Sequence, residues 1–428
     1  MFLRGPGDIV VVSCYELGRQ PFAVASALAG LHHAGFFPAV QDVSVDKLDV
    51  AALRRAKLVA ISVPMHTALR LGTRVAAQAA STAHVCFFGL YAELNAAHLR
   101  ERHGDSVLLD EARLVELAQS LERGSAGESS TALPLRAQPL PFRSALPVLE
   151  KYAQLETPAG NRLVASVEAS RGCKHLCRHC PIVPVWKGRF IALDRDLILA
   201  DIAQQLEQGA THVSFGDPDF LNGPTHALRL ARELHQRWPA VTFDATVKIE
   251  HLLQHRALLP ELAASGCLFI TSAVESLNDT VLRALDKGHD ALDVEVAVRL
   301  TREAGLDLRP TFLPYTPWTE FKDLAALLDF IAAQELEVEP VQLSLRLLIP
   351  PGSRILEVAG PWLGALDPAE FGYRWTHMDP RVDEQQRAVA QAVHAGATLD
   401  DLRALLGSKR APARPRHKIT RLTEPWFC

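Results

Sequence analysis

The sequence predicts an α/β protein: a small doubly wound (Rossmann-like) domain, then a partial (β/α)6 barrel of TIM type, then a short helical and basic C-terminal extension. Three observations predict it. Short β-branched runs alternate with helical stretches over residues 1–123, the pattern of a parallel sheet covered on both faces. The alternation resumes over 151–360 in units of roughly 25–40 residues, the length of a βα repeat. Between them, 124–150 is rich in Gly, Ser and Pro and reads as a linker.

In the small domain, strands are expected at 8–13, 57–63, 84–89 and, weakly, 106–109, with a helix over 21–34 that stops near Gly35. No GxGxxG or GxxxxGK[ST] is present, so no phosphate-binding motif supports a nucleotide site. In the large unit, strands are expected at 163–168, 211–215, 241–245, 267–272, 307–312 and 341–345. Helices are expected at 194–208, 226–238, 291–304 and 320–334. Six such units fall short of the eight of a full barrel and suit either a curved open barrel or a flatter sheet, between which the sequence alone does not choose. Beyond 361 the pattern weakens to helices at 384–395 and 399–406 and a basic, proline-broken tail at 408–418 that reads as a solvated strap.

Composition narrows the function classes. Hydrophobic residues make up 48% of the 428, enough for a core, and the net charge of -4 gives no strong field toward nucleic acid or an anionic membrane. No apolar run reaches the ~18 residues of a membrane span. The first residues lack the basic-then-apolar layout of a signal peptide, so a cytoplasmic setting is expected. Seven cysteines, an odd count, argue against a secreted disulfide framework and for thiolate chemistry.

The strongest local signal is Cys173-Lys174-His175-Leu176-Cys177-Arg178-His179-Cys180, a CxxxCxxC directly after the first large-unit strand. At this cysteine frequency, chance produces that spacing in about 2 of 1,000 such chains. Three thiolates within eight residues repel one another unless a cation neutralises them. Gly172 allows a tight turn into the loop and Pro181 stiffens its exit. Three thiolates leave one metal position without a protein ligand. On a [4Fe–4S] cluster this is an open iron; on zinc, His175 or His179 would close a Cys3His site.

CxxxCxxC after the first strand of a βα array resembles the radical S-adenosylmethionine (SAM) superfamily, over about 160–350. The resemblance implies that Cys173, Cys177 and Cys180 hold three irons of a [4Fe–4S] cluster while SAM chelates the fourth. It implies that SAM is cleaved to methionine and a 5′-deoxyadenosyl radical that abstracts hydrogen from a substrate. His179 stands where the family usually has an aromatic residue beside the adenine. Gly216, Asp217 and Pro218 stand in place of the glycine-rich turn that holds the methionine amino group, with proline replacing the acid. Glu275 and Ser276 look like the ribose and carboxylate contact region. Lys248 and Glu250 are candidate polar contacts. The loop from Arg309 through Thr311, Tyr315, Thr316 and Trp318 is a candidate wall for SAM or substrate.

A doubly wound domain before such a core resembles the cobalamin-binding module of many radical SAM enzymes. That module carries a cobalt-ligating histidine after its first strand; here the run is Cys14-Tyr15-Glu16-Leu17-Gly18-Arg19, which argues against a His-ligated cobalamin but not against an unligated one. Methylthiotransferases also carry an α/β domain here, but need three further cysteines in it; this one has Cys14 and Cys86. The phrases Ser13–Gly18 (SCYELG), Val63–Ala68 (VPMHTA) and the terminal Cys428 are similar to the group with CUAEP or CCAEP tails. That likeness suggests a chain that continues through a recoded UGA; a sense codon, TAA or TAG after Cys428 would refute it. The expected activity is therefore a radical SAM oxidoreductase or transferase acting on a small molecule or peptide, with an external electron donor. A cobalamin-dependent methyltransferase and a zinc-stabilised binding protein are the alternatives.

Overall fold

The computed structural model describes residues 1–125, 139–408 and 421–423. Residues 126–138 of the expected linker, the basic tail from 409 and Cys428 lie outside the described residues. Among those described, no helix is long and apolar enough to cross a membrane.

The small domain is a five-stranded parallel sheet: β1 (Ile9–Ser13), β2 (Ala39–Asp42), β3 (Leu58–Ser62), β4 (His84–Phe88) and β5 (Ser106–Leu108), in the order β2-β1-β3-β4-β5. Its central strands β1, β3 and β4 are mostly apolar because both faces are covered. Val10, Val12 and Cys14 enter one apolar cluster, packed against helix His66–Ala76. Ile9 and Val11 enter the other, against helices Phe22–His33 and Leu114–Glu122. β2 was not expected: it is four residues long and half polar. It pairs with one edge of β1 and β3 with the other, so the loops leaving β1 and β3 part and open a crevice above the strand ends.

The large sheet has seven strands. β7 (Gly160–Val167), β10 (His212–Phe215), β11 (Thr242–Thr246), β12 (Cys267–Glu275) and β13 (Asp307–Phe312) are parallel. β6 (Gln154–Thr157) and β16 (Arg421–Leu422) extend one edge antiparallel. A separate hairpin, β8 (Ser170–Gly172) with β9 (Phe190–Ala192), leaves the end of β7. The parallel core is thus five units, not six. The stretch expected as a sixth strand is a 3-10 turn, Pro340–Ser344. Pro340 has no N–H for a ladder. Gln342 turns its side-chain oxygen onto the Phe312 N–H (3.2 Å), and only a single Tyr315–Arg346 bridge forms.

Two further expectations change. Residues 139–150 are not a free tether: Arg143 is fully buried, paired with Asp201 (2.7 Å), and donates to the Gln20 and Ser166 carbonyls, tying the small domain to β7. The extension beyond 361 is not only helical. It begins with the hairpin β14 (Leu363–Asp367) and β15 (Gly372–Trp375), before helices Pro380–His394 and Leu399–Leu406.

Candidate functional site

The cysteine loop follows β8, and its shape depends on one glycine. Gly172 has φ +81°, and a Cβ there would stand 2.6 Å from the Trp186 ring and overlap the Arg189 carbonyl. The loop is then tied down from three sides. Asn222 accepts from the Lys174 N–H (3.1 Å) and lies 3.8 Å from the Cys173 sulfur. The Arg178 N–H donates to Leu285 O (2.8 Å), and Ser353 Oγ donates to Arg178 O (3.2 Å).

Cys173, Cys177 and Cys180 are free thiols. Burial pushes the Cys180 thiol up to about 12, and neighbouring Cys177 and Cys173 push the same way. Burial also raises Cys173. Ionising Cys173 and Cys180 therefore calls for a cation beside them. The spread of the three sulfurs indicates which kind. On one zinc ion, sulfurs at about 2.3 Å stand about 3.8 Å apart. These three are not gathered within 4.8 Å, whereas one group of other donors among the described residues is. Three separated sulfurs fit a polynuclear iron–sulfur cluster better than a single ion. His175 and His179 are both engaged elsewhere.

His179 Nε2 faces Glu275 Oε1 at 3.1 Å, and Lys287 Nζ reaches the same oxygen at 3.3 Å. Burial would raise the Glu275 carboxyl, but Lys287 and His179 hold it down to about 2. Glu275 sits at φ +70°, at the β12 end, where the register with β13 shifts. Ser276 is used locally: its hydroxyl accepts from the Asn278 N–H (3.0 Å), and Asn278 caps the next helix. His289 is buried, and burial, with Lys287 and Lys248 adding, lowers it to about 4.

On the other side of the loop, His175 meets Asp219, His251, Lys248 and Glu250. Lys248 Nζ is 3.1 Å from His175 Nδ1 and 2.8 Å from Glu250 Oε2. Gly288, at φ +74°, makes room for this pair: a Cβ would overlap Glu250 Oε2 and stand 3.2 Å from Lys248 Nζ.

The remaining expected residues separate. Asp217 is a buried brace, accepting from the Ala169 N–H (2.8 Å) and Ser170 Oγ (2.6 Å); burial pushes it up to about 7. Gly216 and Pro218 line a cavity between the two units. Arg309 is not with the group: it pairs with Glu337 and stacks over Phe269 at 5.4 Å, because β13 alternation turns it away from Pro310 and Phe312. The loop after β13 braces itself, Thr319 Oγ1 donating to Pro314 O (2.8 Å) and Trp318 packing on Trp362. Asn222, His251 and Lys287 were not singled out as site residues, since they join the loop only through tertiary contacts.

The cavity between the units measures about 270 Å³ and lies at the C-terminal ends of both sheets. Glu16, Leu17, Pro64, Gly89 and Glu111 from the small domain face Glu168, Arg171 and Gly216. Arg171 closes it by pairing with Glu111 (2.6 Å) and Glu168 (2.7 Å). Burial raises the Glu16 carboxyl to about 8, with Glu168 adding.

Residues 167–328 match the sequence model of the Radical SAM superfamily. These residues form a radical SAM domain. Such a domain implies a [4Fe–4S] cluster and SAM, and an enzyme. Among curated proteins the chain is 25% identical over 207 residues to tRNA-2-methylthio-N(6)-dimethylallyladenosine synthase of Pseudoalteromonas atlantica, covering 45% of this chain and 42% of that protein. It is 27% identical over 202 residues to the synthase of the same name from Shewanella baltica, covering 43% of this chain and 41% of that one. The match thus spans less than half the length of these relatives. Among solved structures, TsrM of Kitasatospora setae, a radical SAM methyltransferase with cobalamin and a [4Fe-4S] cluster bound, superposes with a TM-score of 0.66 at 16% identity, covering 92% of this chain and 90% of that one. OxsB, with aqua-cobalamin and SAM bound, gives 0.66 at 14% identity, covering 89% and 66%. At these identities the likeness is one of fold, and it extends over both units.

Proposed function

We propose that this chain is a radical SAM oxidoreductase or transferase with one [4Fe–4S] cluster held by Cys173, Cys177 and Cys180. The observation that carries the reading is the cysteine loop itself: three free thiols at CxxxCxxC spacing, in the segment that matches the superfamily. When bound, a reduced cluster supplies the electron that cleaves SAM and yields a 5′-deoxyadenosyl radical. The protein's part is positioning. Asn222 and Gly172 set the loop; Glu275, kept ionised by Lys287 and His179, offers a fixed negative charge beside it. Glu275 and Ser276 remain the candidate SAM contacts, with His179 at the adenine and Gly216 to Pro218 at the methionine end.

A second cluster is not part of this proposal. The small domain's Cys14 and Cys86 belong to apolar clusters on opposite faces of its sheet, so they cannot share a metal. This separates the chain from the methylthiotransferases it matches. The substrate proposed is a small molecule or peptide. The phrases at 13–18 and 63–68 support a place near the CUAEP/CCAEP group.

A cobalamin-dependent methyltransferase is the second reading, favoured by the place of the cavity between the units and by the fold shared with TsrM and OxsB. The cavity measures about 270 Å³, near the lower end of ligand pockets, and its Glu16, Leu17 and Arg19 wall offers cobalt no histidine, so only an unligated corrin suits it. Under the first reading the small domain serves as a cover over the loop, with its Tyr91 near Cys180. Anaerobic reconstitution with hydroxocobalamin and desalting decides between them: the first reading expects no retained corrin, the second about one per chain.

A further inference from the structure

Beside the cysteine loop lies a second set of donors that the radical chemistry does not use. His175 comes from the loop, Asp219 from the turn after β10, and His251 from the helix Ile249–Gln254 after β11. His175 Nε2 and His251 Nδ1 are 3.5 Å apart, His251 Nδ1 and Asp219 Oδ2 2.8 Å, and His175 Nε2 and Asp219 Oδ2 3.4 Å. Two ligands bound at about 2.0–2.1 Å stand about 2.9 Å apart at a right angle and about 3.4 Å apart in a tetrahedron. All three separations fall close to these values. Among the described residues, this is the group whose donor atoms all gather within 4.8 Å.

Asp219 supplies the independent observation. It is 1% exposed, and its Oδ1 is spent on the Leu221 N–H (3.0 Å). Its buried Oδ2 faces His251 Nδ1 (2.8 Å) and His175 Nε2 (3.4 Å), with no well-aligned N–H from either. A buried carboxylate oxygen left in this way is costly unless something else binds it. Three donor atoms from three separate elements thus meet at one point, as a cation requires.

We infer that His175, Asp219 and His251 form a divalent-cation site of the zinc class, separate from the cysteines. Three protein ligands leave an open position for water or a substrate oxygen. On the far side of the His175 ring, Lys248 Nζ donates to Nδ1 (3.1 Å) and to Glu250 Oε2 (2.8 Å), which neutralises it. The inference holds whether or not the cysteines carry a cluster.

The test uses the full chain, reconstituted anaerobically with iron and sulfide, then equilibrated with zinc and desalted. Zinc, iron and sulfide are counted, and the zinc environment is read by X-ray absorption. The expected result is one zinc per chain, with nitrogen and oxygen at about 2.0–2.1 Å and no sulfur at about 2.3 Å. His251→Ala should weaken zinc binding about 100-fold or more while iron and sulfide stay unchanged. Asp219→Asn, which keeps an acceptor for the Leu221 N–H, should do the same and guards against a folding defect in the first variant. Zinc held by sulfur, zinc equally retained in both variants, or no zinc at all would overturn the site. Loss of iron with the nitrogen–oxygen zinc intact would sink the cluster reading and leave this one standing.

Discussion

Two glycines carry more of the site than their size suggests. At Gly172 a methyl group meets the Trp186 ring and the Arg189 backbone, so the loop cannot keep its course. Gly172→Ala should lower reconstituted iron per chain by more than half, with far-ultraviolet circular dichroism unchanged; full iron loading would contradict the account. Gly288→Ala strikes the Lys248–Glu250 pair instead. It should leave iron unchanged, a difference that the same assay reads. The motif's residue types showed the chemistry of the three thiols in the sequence. The partners that hold them did not show, because Asn222 reaches Cys173 across 49 positions and nothing local marks it.

At the scale of elements, legibility followed apolar continuity. Strands buried on both faces, such as β1 and β3, read directly as β-branched runs. β2 did not, being short and polar at Gln41 and Asp42. The expected strand at 341–345 failed because its apolar residues serve a proline-led turn, a difference that hydrophobic pattern alone cannot register. Arg309 was misplaced for the same reason: position in sequence placed it near a loop, whereas strand alternation sent its side chain to Glu337. The loop after β1 yields a pH prediction. Burial, with Glu168 adding, raises Glu16 to about 8, above its unfolded value, so the stabilising neutral form is present below the unfolded pKa and its benefit is lost as pH rises toward 8. Thermal melts between pH 5 and 8.5 should show this loss in the native chain. Glu16→Gln should flatten it, gaining on the order of 2 kcal/mol at pH 8.5 relative to the native chain. A parallel decline in both proteins would refute the assignment.

At the scale of the molecule, the two units are joined by buried polar contacts. Arg143 binds Asp201 and the carbonyls of Gln20 and Ser166, touching both units at once. Truncating it leaves Asp201 buried and unpaired, at a cost of about 3–5 kcal/mol. Arg143→Ala should lower the melting temperature and split a single calorimetric transition into two; an unchanged single transition would show that the units are coupled elsewhere. The two-unit arrangement was legible from the break in composition near 124, but the tether's last residues proved to be interface, since a single arginine carries no sign in sequence of what it will bury against.

The central claim is that the three cysteines carry a redox cluster that acts on SAM. The most direct measurement is anaerobic. The chain is purified and reconstituted, its iron and sulfide are counted, and dithionite and SAM are added to look for 5′-deoxyadenosine. The account predicts about four iron and four sulfide per chain, not eight, with 5′-deoxyadenosine formed and both the cluster and the product lost in Cys177→Ala. Failure to hold iron after reconstitution, with zinc bound through sulfur in its place, would contradict it.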